Sequence, residues 1–294
     1  MQFDVIVVGG SYAGMAAALQ IARARRKVMV VDAGLRRNRF AEEAHGFLGQ
    51  DGRPPGQIAE EAKTQLLAYP NVVWTEGRAH GAANADDGFE VETGDGRAHG
   101  ARRLVLALGV TDTLPDVPGL KERWGKSVFH CPYCHGYELG NGSIGVLATG
   151  PVSMHQALLI PEWGRTTLFI NDAFLPDEEQ LAQLAARGVT VERTPVAAVT
   201  GHADLRLTDG RVIALAGLFT ATGTRPASPL AEALGCALDD GPLGPYIRTD
   251  PMKQTSVPGV FACGDVARAA GSVSLAVGDG ALAGAAVHRS LIFG

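Results

Sequence analysis

Hydrophobic and polar residues along the chain form apolar runs that end in glycine and alternate with helical segments. The run DVIVVGG, residues 4–10, has the composition of a buried parallel strand. A helix of small residues is predicted from Ala13 to about Ala24, and the strand KVMVVDAG follows, ending at Asp32. This order predicts a βαβ unit.

A second βαβ unit is predicted further along the chain, from SIGVLATGPVS through MHQALLIPEWG to TTLFIND. A β-meander follows each unit, and the two meanders close on similar strings, LVLALG ending at Gly109 and LFTATG ending at Gly223. The chain therefore repeats one nucleotide-binding plan. The predicted fold class is α/β, with two Rossmann-like, three-layer ββα nucleotide-binding domains. An extra segment of the first copy, from about Leu35 to Tyr69, is a candidate lid over a ligand.

The domains are not contiguous in this prediction. After the second copy, the strand VPGVFACGDVA runs into Gly264-Asp265, and a Gly/Ala-rich helix from about Leu275 to Leu291 ends the chain. The simplest topology returns this tail to the first copy. The first domain then comprises residues 1–112 and 241–294, and the second comprises residues 113–240.

Composition excludes several classes of protein. The chain has 294 residues, of which 46% are hydrophobic and 19% charged, as in a globular protein with a large core. A net charge of −5 argues against a nucleic-acid partner, and no apolar run approaches the length of a membrane span. The first residues lack the features of an export signal, so a cytoplasmic location is expected. In that compartment a C-x-x-C pair is catalytic or metal-binding more often than structural.

A phosphate-binding turn is predicted between the first strand and helix. Gly9 permits a tight turn, and Gly14 permits close packing of helix on strand, while the helix N-terminus offers backbone N–H groups to a pyrophosphate. Asp32 ends the next strand, where a carboxylate accepts hydrogen bonds from ribose hydroxyls. Ser11 departs from the G-x-G-x-x-G pattern. The residues of this turn are Gly9, Gly10, Ser11, Tyr12, Ala13 and Gly14.

The order of these parts, with ALG, C-x-x-C, ATG and TSVPGVFACGD, resembles the low-molecular-weight thioredoxin reductase family over nearly the whole chain. The resemblance implies a homodimer that binds FAD through the first turn and Gly264-Asp265. Val273, near the N-terminus of the last helix, would lie at the N1/O2 edge of the flavin, where a positive dipole stabilises the reduced anion. The other positions assigned to FAD are Ala33, His45, Ala79, Ala107 and Gly109.

The stretch HCPYCHGYE, residues 130–138, holds two of the four cysteines. Zinc needs four ligands, whereas Cys236 and Cys263 are isolated in the sequence, so no metal site is expected. An inert buried pair is the other alternative to a redox-active dithiol. By resemblance, Cys134 faces the flavin and Cys131 exchanges with the substrate.

His135 stands where thioredoxin reductases carry an acidic residue. A histidine with an ordinary pKa of ~6.5 can take a thiol proton near neutral pH, which suits a base that assists thiol oxidation. A histidine that only caps the local turn is the alternative. His45, in the candidate lid, is a second candidate for a flavin-side group.

The corresponding turn of the second copy is altered. Ala148 adds a Cβ at its tightest point, and Pro151 removes one N–H group from the phosphate site. Asn171-Asp172 stand where the family places two arginines for the 2′-phosphate of NADPH. A carboxylate there repels a 2′-phosphate but can accept from a 2′-hydroxyl, which disfavours NADPH and leaves NADH open.

These features favour an FAD-dependent thiol–disulfide oxidoreductase that oxidises dithiols with O₂ or another non-pyridine acceptor. The chain is similar in this respect to the branch of the family that contains gliotoxin- and holomycin-type dithiol oxidases. The expected partner is a small dithiol or disulfide, or a thioredoxin-like protein. The alternatives are an NAD(P)H-dependent thioredoxin reductase, a ferredoxin-driven reductase and, from another class, a non-catalytic flavin redox sensor.

Overall fold

The structure is a computed structural model that describes residues 3–294, and these divide into two compact units. The first unit comprises residues 3–39, 47–111 and 224–294, and the second comprises residues 40–46 and 112–223. No helix within the described residues combines the length and the hydropathy that crossing a membrane requires.

The secondary structure follows the predicted alternation of strands and helices. The helices are α1 (Tyr12–Arg23), α2 (Pro55–Leu67), α3 (Pro132–His135), α4 (Ser153–Leu159), α5 (Glu178–Ala186), α6 (Leu230–Ala233) and α7 (Val273–Phe293). The strands are β1 (Phe3–Val8), β2 (Val28–Asp32), β3 (Val72–Glu76), β4 (Ala79–Ala85), β5 (Gly88–Thr93), β6 (Ala98–Leu106), β7 (Val110–Thr113), β8 (Val128–Phe129), β9 (Asn141–Leu147), β10 (Gly164–Phe169), β11 (Thr190–Glu192), β12 (Val196–Thr200), β13 (Asp204–Leu207), β14 (Val212–Ile213), β15 (Gly217–Thr220), β16 (Gly223–Pro226), β17 (Leu238–Gly241), β18 (Gly244–Ile247) and β19 (Val260–Ala262).

The first unit is built on a parallel sheet in the order β3-β2-β1-β6. The first half of β6 also pairs with the antiparallel β5, and its second half pairs with the parallel β19. Val5, Ile6 and Val7 in β1 are fully buried, as expected for a strand covered on both faces. The prediction of an α/β, Rossmann-like fold is confirmed.

Helix α7 approaches α1 closely because glycines stand on the face of α7 that contacts α1. A Cβ atom on Gly280 would strike the backbone oxygen of Ala13, and one on Gly284 would strike the backbone oxygen of Ala17. The predicted Gly/Ala-rich helix therefore packs backbone against backbone, beneath the sheet that contains β1 and β6.

The second unit repeats the plan with an all-parallel sheet in the order β11-β10-β9-β15-β8. A three-stranded antiparallel meander, β12-β13-β14, adds a second layer. Separate apolar clusters lie on the meander side, around Phe169 and Leu205, and on the helix side, around Ile144 and Phe219. This is the predicted three-layer arrangement.

The boundary of the units differs from the predicted boundary at residue 241. Residues 224–240 belong to the first unit, because Leu230, Leu234 and Cys236 join the same apolar core as Val260. The candidate lid is also divided. Helix α2 packs on α1 and β3 in the first unit, whereas residues 40–46 cluster with the second unit, where Phe40 contacts Gly125.

We predict that Gly280→Ala lowers the thermal unfolding midpoint. The new methyl group has to displace the backbone of α1, an overpacking cost of roughly 1–3 kcal/mol. Gly278→Ala is the matched control on the same helix, since its Cβ meets no atom within 4 Å and alanine improves helix propensity by about 0.5–1 kcal/mol. Equal effects of the two substitutions on the midpoint would contradict this account of the α1–α7 contact.

Candidate active site

The turn between β1 and α1 has the geometry predicted for a dinucleotide cradle. Gly9 adopts a φ of 107° and packs on the backbone of Ala107, while a Cβ on Gly14 would strike the carbonyl oxygen of Gly9. Asp32 lies across from the turn and accepts a hydrogen bond from the Gly10 N–H at 3.1 Å. Side chains at these glycines would separate the helix from the strand, so the turn requires them.

A cavity of about 280 Å³ opens beside this turn. Carboxylates border it at the ends of two adjacent parallel strands, where Asp32 of β2 pairs in register with Glu76 of β3. Trp74 and Arg36 also line the cavity, and Trp74 Nε1 and Arg36 Nε are buried there without a hydrogen-bond partner in the described part of the chain. Acceptors and unused donors around one cavity fit the hydroxyls and phosphates of the ADP half of FAD.

Gly264-Asp265, the GD motif, lies close to the same turn. Gly264, with a φ of 77°, leaves no room for a side chain beside the Cβ of Ala13. Asp265 follows it and forms an ion pair with Arg37 at 2.9 Å. The carboxylate expected to bind the ribityl chain is thus engaged by an arginine in this structure.

Some of the other residues predicted to bind FAD lie at the cradle or its cavity, and others do not. Ala33 lines the cavity and Ala107 contacts Gly9, so the structure brings both to the cradle. Val273 begins α7 as predicted, after the N-cap Ser272. Ala79 begins β4, where it pairs with β5, and is not among the cavity residues. Ser11, Tyr12 and Ala13 form the start of α1, and Gly109 has a φ of 66° in the turn after β6.

The Cys-x-x-Cys pair of the second unit forms a disulfide between Cys131 and Cys134 at the short helix α3. His130, the residue before Cys131, contacts side chains from two other parts of the unit. Gln156 of α4 donates to the carbonyl oxygen of His130 at 2.8 Å, and the His130 ring lies 6.0 Å from the ring of Trp124. The disulfide is therefore attached to both the β8 region and the helix α4.

His135 stacks on Phe129 with ring centroids 4.2 Å apart. Burial, followed by the charge of His45, lowers the pKa of His135 to about 4. The ordinary pKa on which the sequence prediction relied does not hold, because the imidazolium would lose its hydration against the phenyl ring. His135 is neutral at pH 7 and can accept a proton, but as a weaker base than expected.

His45 lies in the second unit, next to the redox turn, by which we mean residues 131–135 with the disulfide. Its Nε2 atom lies 3.4 Å from Glu43 Oε2 and 3.5 Å from Glu138 Oε1. Glu138 follows α3 in a 3₁₀ turn, so the interaction connects the 40–46 segment to the Cys-x-x-Cys region. His45 was expected on the flavin side, and neither glutamate was predicted as its partner.

The remaining cysteines do not resemble redox centres. Burial raises the pKa of the Cys236 thiol, and burial raises that of the Cys263 thiol to about 12. Both thiols stay protonated near neutral pH, and only the thiolate is a good nucleophile. Within residues 3–294 no group of three His, Cys, Asp or Glu side chains is arranged to hold a metal ion.

In the second nucleotide turn, residues 148–153, polar groups form hydrogen bonds within the protein. The Thr149 N–H donates to Ser153 Oγ at 2.9 Å, and Thr149 Oγ1 donates to the carbonyl oxygen of Ala221 at 2.7 Å. Pro151 supplies no N–H group. Asn171 Oδ1 accepts from the Val196 N–H at 2.8 Å, so this side chain also has a structural partner. The Thr149 N–H, the Thr149 hydroxyl and the Asn171 side chain each therefore have a partner within the protein.

A dinucleotide cradle in one Rossmann-like unit and a Cys-x-x-Cys disulfide in the other define a thioredoxin reductase-like disulfide oxidoreductase. The chain belongs to the pyridine nucleotide-disulphide oxidoreductase family, whose sequence profile matches residues 3–280. It is an FAD-dependent enzyme of that family. Membership implies FAD and a pyridine nucleotide as cofactors, without deciding between NADH and NADPH.

Relatives of known name and structure support this membership. Thioredoxin reductase tcpT of Claviceps purpurea is 34% identical, over 98% of this chain and 94% of its own length. The crystal structure of an oxidoreductase from Agrobacterium tumefaciens is similar with a TM-score of 0.97 and 59% identity, covering 100% of this chain and 99% of the other. The crystal structure of HlmI is similar with a TM-score of 0.91 and 36% identity, covering 99% and 92%.

Residues that sequence reasoning missed lie at strand ends and on neighbouring elements. Glu76 ends β3 directly beside Asp32, and Trp74 lies two residues earlier in the same strand. A parallel strand that ends in an acid was the available signal. Gln156 had no such signal, because it reaches His130 from helix α4. Glu138 lies within HCPYCHGYE, but nothing in the sequence indicated its contact with the distant His45.

We predict that His135→Gln reduces the loss of stability between pH 6.5 and pH 4. Because the pKa of His135 is lowered in the folded protein, protons bind the unfolded chain more tightly. The stabilisation is full above the unfolded pKa of 6.5 and is lost as the pH falls towards 4, by at most roughly 3 kcal/mol. Urea-unfolding midpoints at several pH values measure it. His155→Gln, on exposed α4 surface, should retain the wild-type pH dependence, and the prediction is wrong if His135→Gln does so too.

Proposed function

We propose that this protein is an FAD-dependent dithiol oxidase that cycles the Cys131–Cys134 disulfide and delivers electrons to O₂ or another non-pyridine acceptor. The observation that carries the proposal is the hydrogen bond from the Thr149 N–H to Ser153 Oγ. It occupies a donor that a pyrophosphate would need at the second turn. In the usual direction, electrons pass from a pyridine nucleotide through the flavin to the disulfide. An enzyme whose pyridine-nucleotide site is weakened is suited to the opposite direction, from a substrate dithiol to the flavin.

The chemistry of the proposal requires the two cysteines to act in sequence. A substrate thiolate attacks Cys131, and the substrate's second thiolate then resolves the mixed disulfide, leaving both enzyme sulfurs reduced. FAD, when bound, accepts the electron pair that the Cys131/Cys134 dithiol gives up. The assignment of Cys131 to the substrate and Cys134 to the flavin follows the resemblance to thioredoxin reductases.

We assign the base to His135, which follows Cys134 directly. Its low pKa keeps the imidazole neutral and available to accept a thiol proton at neutral pH. The stacking on Phe129 holds the ring in place, and the Phe129 ring excludes water from one of its faces.

Aromatic side chains around the disulfide support a small organic dithiol as the substrate. Tyr133, between the two cysteines in the sequence, is 71% exposed. Its ring packs edge-on against that of Trp163, with the ring centroids 5.3 Å apart. Tyr137 is 87% exposed. Exposed aromatic rings beside a reactive sulfur offer an apolar contact surface to a substrate.

We further propose a cytoplasmic homodimer. Leu275 and Leu282 are 42% and 39% exposed and lie seven residues, or about two helical turns, apart in an apolar stripe on one side of α7. Such a stripe supports contact with a second copy, as in an isologous dimer. Sedimentation at twice the chain mass of 30.7 kDa would agree with this proposal, and sedimentation at the chain mass would contradict it.

The second candidate is an NAD(P)H-dependent reductase of a thioredoxin-like protein. The name of the Claviceps purpurea relative, a thioredoxin reductase, favours it. In that case the pyridine nucleotide would have to displace the Ser153 hydroxyl from the Thr149 N–H. The two candidates therefore differ in the compound that reduces the flavin.

We predict that dithiothreitol reduces the bound flavin faster than NADPH or NADH does in anaerobic rapid mixing, and that air restores the oxidised spectrum with formation of peroxide. Asp172→Arg removes a charge that repels a 2′-phosphate and adds a phosphate donor, so it should tighten NADPH binding. Asp116→Arg, an equal charge change at another exposed position of the second unit, should not. Rapid reduction of the unmodified protein by micromolar NADPH would overturn the oxidase proposal in favour of the reductase.

We predict opposite spectra for the two single-cysteine variants. Cys131→Ser should leave a Cys134 thiolate that gives the oxidised flavoprotein a long-wavelength absorbance band, and Cys134→Ser should lack that band. The reverse pattern would exchange the two assignments. Full dithiol oxidation by the variant that lacks both cysteines would remove the pair from the mechanism.

A further inference from the structure

Two histidines from distant parts of the chain lie at the redox turn or next to it. His135 follows Cys134 directly, whereas His45 comes from the 40–46 segment and contacts Glu138, just after α3. The two imidazoles interact electrostatically, since the charge of His45 contributes to the lowered pKa of His135. Two imidazoles that repel each other's protons behave as a coupled pair that holds one proton more readily than two.

The two histidines have different neighbours, and those of His45 reach the solvent. His135 lies against the Phe129 ring, which offers no charge. The His45 side chain is 16% exposed, and it contacts Glu138 and Glu43, whose side chains are 40% and 56% exposed. The His45 imidazole therefore connects the redox turn, through Glu138, with two carboxylates in contact with water.

We propose that His45 is a proton-relay residue that acts through His135, passing protons between the redox turn and the solvent by way of Glu43 and Glu138. Glu43 and Glu138 lie within 3.5 Å of His45 Nε2 and can accept a proton from it. A thiol proton taken up by His135 passes to His45, then to a carboxylate, and then to water. The relay runs in reverse when a cysteine sulfur needs a proton.

The step is balanced without any further reactant. In the exchange with a substrate dithiol, the Cys131–Cys134 bond breaks and a disulfide bond forms in the substrate. Two electrons pass to the enzyme sulfurs, the substrate loses two protons, and the cysteines gain two. His45 and His135 hold each proton after the substrate has lost it and before a cysteine takes one up.

This inference rests on the proposed function only in so far as thiol protons must move at the Cys pair. The same movement is needed if the enzyme runs as a reductase. A test that reads the thiols themselves, without turnover, therefore separates failure of the relay from failure of the oxidase proposal.

We expect the alkylation of the reduced cysteines by iodoacetamide to depend on His45. The pair stabilises a thiolate by holding its proton, so His45→Ala should move the pH profile of the alkylation rate to higher pH. Glu138→Gln should move it in the same direction by less, because Glu43 remains next to His45. His155→Gln is the matched control and should reproduce the wild-type profile. A His45→Ala profile that coincides with the wild-type profile would overturn the proposal.

Chemical rescue distinguishes a relay from a residue that only supports the fold. His45→Ala should slow flavin reduction by dithiothreitol on the order of 10²-fold, typical of a lost proton-transfer group. Imidazole added to the buffer should restore part of this rate in proportion to its concentration, since the vacated site adjoins exposed carboxylates. A slow variant that imidazole does not rescue would assign His45 a structural role. If dithiothreitol fails to reduce even the wild type, the oxidase proposal fails, and the alkylation profiles still decide the relay.

Discussion

The contact of α1 with α7 and with the GD motif is the constraint on which the first unit depends. Ala13, in the first turn of α1, lies against Gly264 on one side and against Gly280 of α7 on the other, and neither glycine leaves room for a side chain. The three segments that surround the dinucleotide cradle are thus held by close contacts with the backbone and the Cβ atom of one residue. Because neither can change rotamer, such contacts fix positions more rigidly than the packing of longer side chains does.

The second unit shows how the same turn can be adapted. Its parallel sheet and its helix α4 repeat the plan of the first unit, but Ser153 accepts the Thr149 N–H group that would otherwise face a phosphate. Helix α4 instead contributes Gln156, which holds the residue before Cys131. In this protein the helix of a nucleotide-binding motif supports the redox turn through Gln156, and the Thr149–Ser153 hydrogen bond at its start is the observation behind the proposed oxidase function.

In the proposed mechanism, the site around the cysteines combines a base, His135, with a route for protons to the surface through His45. An imidazole against Phe129 resists protonation because its charged form loses hydration, and this weakens it as a base. Glu43 and Glu138 lie next to the second imidazole, His45, and can accept a proton from it. In the proposed relay, the two environments separate the roles of accepting a proton and of releasing it.

The sequence by itself determined the two βαβ units, the glycine cradle with Asp32, the GD motif and the redox pair. These features depend on the local periodicity of apolar residues and on backbone conformations that only glycine adopts easily, so they can be recognised along the chain. Tertiary structure alone decided the boundary at residue 224, the partners of His45, the role of Gln156 and the low pKa of His135. Each of these depends on side chains that are distant in sequence and on the water that their packing excludes, and local patterns contain no information about either.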